Sequence, residues 1–215
     1  MIMMNKLHSI REFFTHDDKR LRDTRWIFAS MLVGAMLSLL ASFVLSVESV
    51  EIARNPNAQL SCSVNVVVNC ATVAKHPSAN MFGFPNPFLG LIAESVVITV
   101  AIAGLCGIRF PRGFMFAAQI GYTLGFIFAY VLFYISFFII QALCPWCLLV
   151  TVTTTLVFFA MTRYNIREDN LYLPKSVMKP LHAWIEKDYD KLAMWSLIVL
   201  LFAAIIVKYG NGLFA

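Results

Sequence analysis

The apolar positions of this chain fall into long runs separated by short polar stretches. Five runs are long enough, or nearly so, to be spanning helices, for which roughly 18 or more consecutive apolar residues are needed. They are Trp26 to Val47, Phe88 to Ile108, Phe114 to Ile140, Leu143 to Met161 and Ala193 to Val207. The fifth is the shortest; Lys208 and Tyr209 can extend it by snorkelling. None of the runs alternates with period two, as barrel strands would. Helices satisfy their backbone polar groups internally, which lipid requires. The pattern therefore predicts an all-α integral membrane protein: a four-helix transmembrane bundle plus a fifth transmembrane helix. The first run follows a charged segment of 25 residues and is too long for a signal peptide. It is expected to be retained as a helix.

Composition agrees. The 215 residues are 60% hydrophobic and 13% charged, with a mean hydropathy of +0.74, against about 25% charged residues in soluble domains. The net charge of +5 is explained by where the basic residues lie. With the N-terminus inside, the cytoplasmic parts carry Lys6, Arg11, Lys19, Arg20, Arg22 and Arg25, then Arg109 and Arg112, then Arg163, Arg167, Lys175, Lys179, Lys187 and Lys191. Only Arg54, Lys75 and Lys208 fall outside. This is the positive-inside asymmetry of membrane proteins, so no nucleic-acid partner is implied. The expected division is an inner N-terminal segment 1–25, a four-helix domain 26–161 with an outer loop 48–87, an inner linker 162–192, a fifth helix 193–209 and an outer tail 210–215. The repeat of small residues in "GYTLG", Gly121 to Gly125, predicts close helix packing.

The same topology collects four of the five cysteines on the outer side, where disulfides persist. Cys62 and Cys70 lie in the outer loop; Cys144 and Cys147 open the fourth helix as "CPWC". Cys106 lies alone towards the inner end of the second helix and reads as a small apolar residue. A bond between Cys144 and Cys147 closes a very short loop and removes little unfolded-state entropy. That makes a poor staple and a good redox couple, and a helix start favours the thiolate that attacks disulfides. Two structural staples remain an alternative. A zinc site is disfavoured by the seven-residue gap between Cys62 and Cys70, so no metal is expected. Electrons passed from the loop pair to the helix pair need a sink. A carrier across the membrane would have to run through Cys106. A lipid-soluble two-electron acceptor such as a quinone needs only access to Cys147.

Other polar residues in the apolar zone are candidates too. Glu94 lies about two turns into the second helix, where an ionisable group is functional by default; a proton-relay role at the quinone is its candidate function. Tyr130, Tyr134, Phe137 and Gln141 follow helical spacing towards Cys144. Packing is the ordinary role of such a stripe, and Tyr134 is the candidate ring contact. The loop from Ser78 to Phe88 is apolar for an aqueous segment. It is expected to lie at the interface over the site, with Gly83 supplying an unusual backbone angle.

In this order, "CSVNVVVNC", "SANMFGFPNPFLGL" and "CPWC" resemble the vitamin K epoxide reductase family, specifically its bacterial disulfide-forming branch, over about residues 25–165. The resemblance implies a four-helix bundle around a quinone. It implies that Cys147 faces the quinone, that Cys144 exchanges with Cys70, and that Cys62 meets a thioredoxin-like partner outside. Because only six residues follow Tyr209, that partner is expected to be a separate extracytoplasmic protein. Animal members place a quinone-contacting Asn near the "FG" pair and a Tyr four residues after the second active-site Cys. Here Asn80 is one position off in an ungapped match, and Thr151 stands for the Tyr; Thr151 can still donate one hydrogen bond. These departures point to menaquinone or ubiquinone rather than vitamin K epoxide. The expected quinone-site residues are thus Asn80, Phe82, Gly83, Glu94, Tyr134 and Thr151.

Overall fold

The computed structural model of the protein describes residues 18–60 and 62–213; the segment 1–17 and the last two residues of the tail lie outside the described residues. Among the described residues, five helices are long and apolar enough to cross a membrane. The protein is a multi-pass, all-helical membrane protein.

Helix α1 (Lys19–Arg54) starts where Asp18 accepts hydrogen bonds from the backbone N–H groups of Arg20 and Leu21. Its 36 residues span about 54 Å, well beyond a hydrocarbon core of about 30 Å. Nothing breaks it until Asn55-Pro56, so it projects past its apolar run. A short helix, α2 (Cys70–Lys75), and a 3-10 turn (Pro77–Asn80) lead to α3 (Pro87–Leu105). Helix α4 (Arg112–Tyr134) continues into a π-helical turn, Ile135–Ile140. Helix α5 (Pro145–Arg167), a shorter α6 (Lys175–Glu186) and the fifth long helix, α7 (Tyr189–Leu213), complete the chain.

Helix α1 is the hub, packed along α3 and α5, and α4 lies against α5. Phe28, Met31 and Ala35 of α1 are fully buried with Val97, Val100 and Ala101 of α3 and Val157, Met161 and Tyr164 of α5. Lipid is as apolar as these side chains, so close backbone approach and polar contacts must hold such helices together. The close approaches occur at Gly34, Gly90 and Gly104. A Cβ on Gly104 would sit 2.5 Å from the Phe28 ring, and one on Gly90 2.2 Å from Ser42 Oγ. Gly121 and Gly125, expected from their spacing to mediate packing, do not: a Cβ on either would meet nothing within 4 Å. Among the described residues, nothing packs against their side of α4, because spacing alone does not fix which side of a helix meets a neighbour.

The segment between the fourth and fifth spans is built rather than slack. Ile166, Met178 and Ile185 form a small core with Leu171, Leu181 and Trp184. Asn165, fully buried, donates to Met115 O (3.3 Å) and Gln119 Oε1 (2.9 Å), and accepts from Asn170 Nδ2 (3.0 Å). Gln119 Nε2 donates to Thr162 Oγ1 at 3.0 Å. Arg163 Nη1 reaches both Asp190 oxygens (2.7 and 2.8 Å), and its Nη2 meets Asp188 at 2.9 Å, which ties the start of α7 to α5. Asp188, outside the spans, is held below its ordinary carboxylate pKa, first by the hydrogen bond from Lys191 and then by the charges of Lys191 and Arg163.

The expected stripe down the third span is interrupted. A π-turn widens the helix at Ile135–Ile140 and Gln141 ends it in the left-handed region, φ 58°. Tyr130 turns inward to Thr155 (2.8 Å) and Phe137 is buried, whereas Tyr134 is 56% exposed and packs at a tilt against Phe138. The π-turn leaves carbonyls without their usual helical donors. Phe137 O accepts from Lys208 Nζ (2.5 Å) and Tyr209 Oη (2.6 Å) of α7, so the fifth helix closes over this turn.

Candidate active site

The site is assembled by a clip between a loop and the turn that precedes α5. In the loop, Asn65 Oδ1 accepts from the N–H groups of Val67 (3.0 Å) and Val68 (2.7 Å), which folds 65–68 into a tight turn. Leu143 N–H then donates to Val67 O at 2.7 Å, and Asn69 N–H donates to Leu143 O at 3.0 Å. This short parallel bridge between Val68 and Leu143 sets the residue before Cys70 beside the residue before Cys144. Asn69 also caps α2 through its side chain, accepting from Thr72 N–H at 3.0 Å. The outcome is a Cys70 Sγ to Cys144 Sγ distance of 3.4 Å, a non-bonded approach suited to thiol–disulfide exchange.

Cys62 and Cys70 are joined in a disulfide with their Cα atoms 5.6 Å apart. Both are buried, as is Cys144, while Cys147 is half-buried. Cys144 is the N-cap of α5, and its sulfur accepts the N–H of Cys147 at 3.3 Å. This is the helix-start geometry in which a backbone donor faces a cysteine sulfur. Leu60, Leu45, Ile52 and Trp146 enclose the four sulfurs. Cys106 stands apart and exposed as the C-cap of α3, about 28 Å along that helix from its start.

Below the cysteines the bundle interior is polar. Thr151, 3% exposed, donates to Cys147 O at 2.9 Å, and Thr155 donates to Thr151 O at 2.8 Å. Ser38, Ser42 and Ser46 are buried along one face of α1. Glu94 is 4% exposed; its Oε1 accepts from Ser38 Oγ (3.0 Å) and Tyr122 Oη (3.2 Å). Its Oε2 is buried with no hydrogen-bond partner among the described residues. A buried orphan oxygen amid hydroxyls fits a ligand whose ring carries carbonyl or hydroxyl groups.

The six residues expected at a quinone separate in space. Thr151 and Glu94 lie in the interior. Asn80, Phe82 and Gly83 lie on the loop above α3. That loop is closed by Asn86, whose Nδ2 donates to Ser78 O (2.6 Å) and whose Oδ1 accepts from Met81 N–H (3.2 Å). Gly83 adopts φ +81°, a conformation natural to glycine. Phe82 is 57% exposed and packs on Phe84 and on Phe128 of α4. Tyr134 is on the exterior, as described above.

A sequence model of the vitamin K epoxide reductase family matches residues 29–162. The chain belongs to that family. No curated protein matches it. Family membership makes the protein a membrane thiol–disulfide oxidoreductase linked to quinones, and the family match contains all five cysteines and the helices α3 and α4 entire.

Two residues at the family site escape sequence reading. Asn86 sits in "FGFPNPFLG", where the motif is legible but the role of its amide in closing the loop is not. Glu48 looks like the first residue of a polar loop. In the structure it is 7% exposed, with its carboxylate oxygens 3.5 and 3.6 Å from Cys62 Sγ. The signal that finds it is the lack of any helix breaker between Val47 and Arg54.

Proposed function

We propose that this family member oxidises a thioredoxin-like partner on the extracytoplasmic side and so promotes disulfide formation in exported proteins. Electrons pass from the partner to Cys62–Cys70, then to Cys144–Cys147, then to menaquinone or ubiquinone. The observation that carries this reading is the 3.4 Å approach of Cys70 Sγ to Cys144 Sγ, which supports one continuous relay rather than two staples. The distribution of basic residues supports an inner N-terminus and an outer cysteine end. Residues 26–161 would form the catalytic domain, with α7 bracing it.

In this reading, a partner thiolate attacks Cys62, and Cys70 leaves as the thiolate. Cys70 then attacks Cys144 of an oxidised helix pair, breaking Cys144–Cys147 and freeing Cys147 at the half-buried edge of the bundle. The partner's second thiolate joins its first sulfur, closing the partner's disulfide and releasing Cys62, which then closes back on Cys70 and releases Cys144. A bound quinone supplies an acceptor for two electrons and two protons, which restores the Cys144–Cys147 bond. Thr151 and Glu94 would hold it from the interior, with Glu94 keeping a proton at Oε2, and the loop of Asn80, Phe82 and Gly83 would cover the opening.

The test is purified protein with a reduced thioredoxin-like protein and defined quinones, followed by quinone absorbance. Quinone-dependent oxidation of the partner is expected. No such oxidation with any quinone would overturn the proposal.

A further inference from the structure

We propose that Glu48 is the catalytic acid–base of the loop cysteine pair, exchanging a proton directly with Cys62 Sγ. The proposal deepens the relay described above and rests on the loop pair receiving electrons from an outside dithiol.

Three observations converge on it. First, α1 runs beyond its apolar stretch and carries Glu48 into a pocket of the apolar cluster formed by Leu45, Ile52, Leu60 and Trp146 around the cysteines. Second, both of its oxygens face one sulfur, at 3.5 and 3.6 Å, and Cys70 Sγ completes a trio lying within 4.8 Å of one another. Third, Cys62 is in a disulfide, and a disulfide sulfur has no proton to donate. The contact becomes a hydrogen bond only once Cys62 is reduced. The carboxylate thus already lies, in the oxidised state, where it can accept the proton of Cys62 in the step in which Cys62 is a thiol.

That step balances as follows. The incoming thiolate joins Cys62 and expels Cys70. The second incoming thiol then joins its own first sulfur, giving up its proton and displacing Cys62. Cys62 leaves with the bonding electron pair and needs one proton, which Glu48 hands on from the incoming thiol. Later Cys62 must become a thiolate to displace Cys144 from the Cys70–Cys144 bond. Its proton then passes to Glu48 and on to water. Two electrons enter the loop pair and two leave it; Glu48 ends each turn as it began.

The other titratable groups on the elements packed here are Cys144 and Cys147 at the start of α5, Lys75 and His76 at the end of α2, and Glu51 and Arg54 further along α1. Glu51, Arg54 and Lys75 are exposed, and His76 Nδ1 is engaged by Ser78 at 2.8 Å. Glu48 is the carboxylate in contact with the reacting sulfur.

The experiment measures alkylation of Cys62 against pH in the reduced full-length protein, using iodoacetamide and mass spectrometry, for wild type, Glu48→Gln and Glu48→Asp. A neighbouring negative charge disfavours a thiolate. Removing it in Glu48→Gln is expected to raise Cys62 alkylation at neutral pH roughly tenfold, the effect of moving a titration by about one unit. Glu48→Asp should stay near wild type. Partner oxidation by Glu48→Gln should slow and lose its dependence on pH. A Cys62 alkylation curve in Glu48→Gln that superimposes on wild type, in protein that still forms the Cys62–Cys70 bond, overturns the proposal. Should Glu48→Gln fail to assemble, the wild-type infrared difference spectrum between oxidised and reduced loop pair decides it. A shifted carboxylate band is expected, and a spectrum without one overturns the assignment. Alkylation requires neither partner nor quinone. If the wild type oxidises no thioredoxin-like protein, the relay reading falls, while the alkylation curve still decides on Glu48.

Discussion

The two ends of the bundle bury polar groups differently, although Arg167 Nη1, at the end away from the cysteines, also has no hydrogen-bond partner among the described residues. At the end away from the cysteines, Asn165, Gln119, Asn170 and Thr162 bond to one another and to backbone, and Arg163 is paired with Asp188 and Asp190. A buried network satisfied from within is rigid and specifies one arrangement. At the cysteine end, the buried groups are a disulfide, a thiol 3.4 Å from it, and a carboxylate against a sulfur that lacks a proton in this state. In the interior nearby, Glu94 Oε2 has no partner among the described residues. The contrast separates architecture from chemistry. Groups paired with one another hold the fold, and groups whose partners would change with redox state or ligand are where the proposed reaction would take place.

The comparison is broken most completely at Cys147. Cys147→Ser should abolish quinone reduction while the bundle still assembles, and should trap a Cys70–Cys144 disulfide visible by mass spectrometry under non-reducing conditions. Partner oxidation at the wild-type rate would reduce the cysteine end to a pair of staples. At the other end, Asn165→Ala leaves Gln119 and Asn170 each short of a partner. We expect a loss of about 1–2 kcal/mol in unfolding free energy, measured by denaturation in detergent, with turnover per folded molecule retained.

Glycine substitutions sharpen the contrast between contact and composition. Gly104→Ala forces a methyl group against Phe28 and should cost about 1–3 kcal/mol. Gly121→Ala, with open space around it, should leave thermal stability within about 0.5 kcal/mol of wild type. The smallest effect is expected at Cys106, exposed at the end of α3. Cys106→Ala should retain full partner oxidation, and loss of activity there would revive a route for electrons across the membrane.

Much of this was legible beforehand because lipid imposes a severe rule on sequence. Backbone groups cannot stay unpaired in it, so long apolar runs have to be helices. The five spans follow from that, and the spacing of the cysteines together with the "FGFPNPFLG" stretch is enough to suggest the family. What stayed hidden was rotation and end geometry. The stripe through Tyr130 and Tyr134 assumed an unbroken period. The π-turn and the left-handed Gln141 alter it beyond Tyr134, and Tyr130 and Phe137 are turned inward whereas Tyr134 is exposed. "GYTLG" had the composition of a packing motif on a face that meets no helix among the described residues.

By itself, then, the sequence determined the helical membrane class, the number of spans and which sulfurs come in pairs, because hydropathy and covalent spacing are local properties. Only the tertiary structure decided that Val67 and Asn69 clasp Leu143, that α7 covers the π-turn through Lys208 and Tyr209, and that Glu48 lies against Cys62. Each of these joins segments far apart in the chain or turns on the direction of a side chain, and such relations are fixed by packing rather than by the pattern of any one segment.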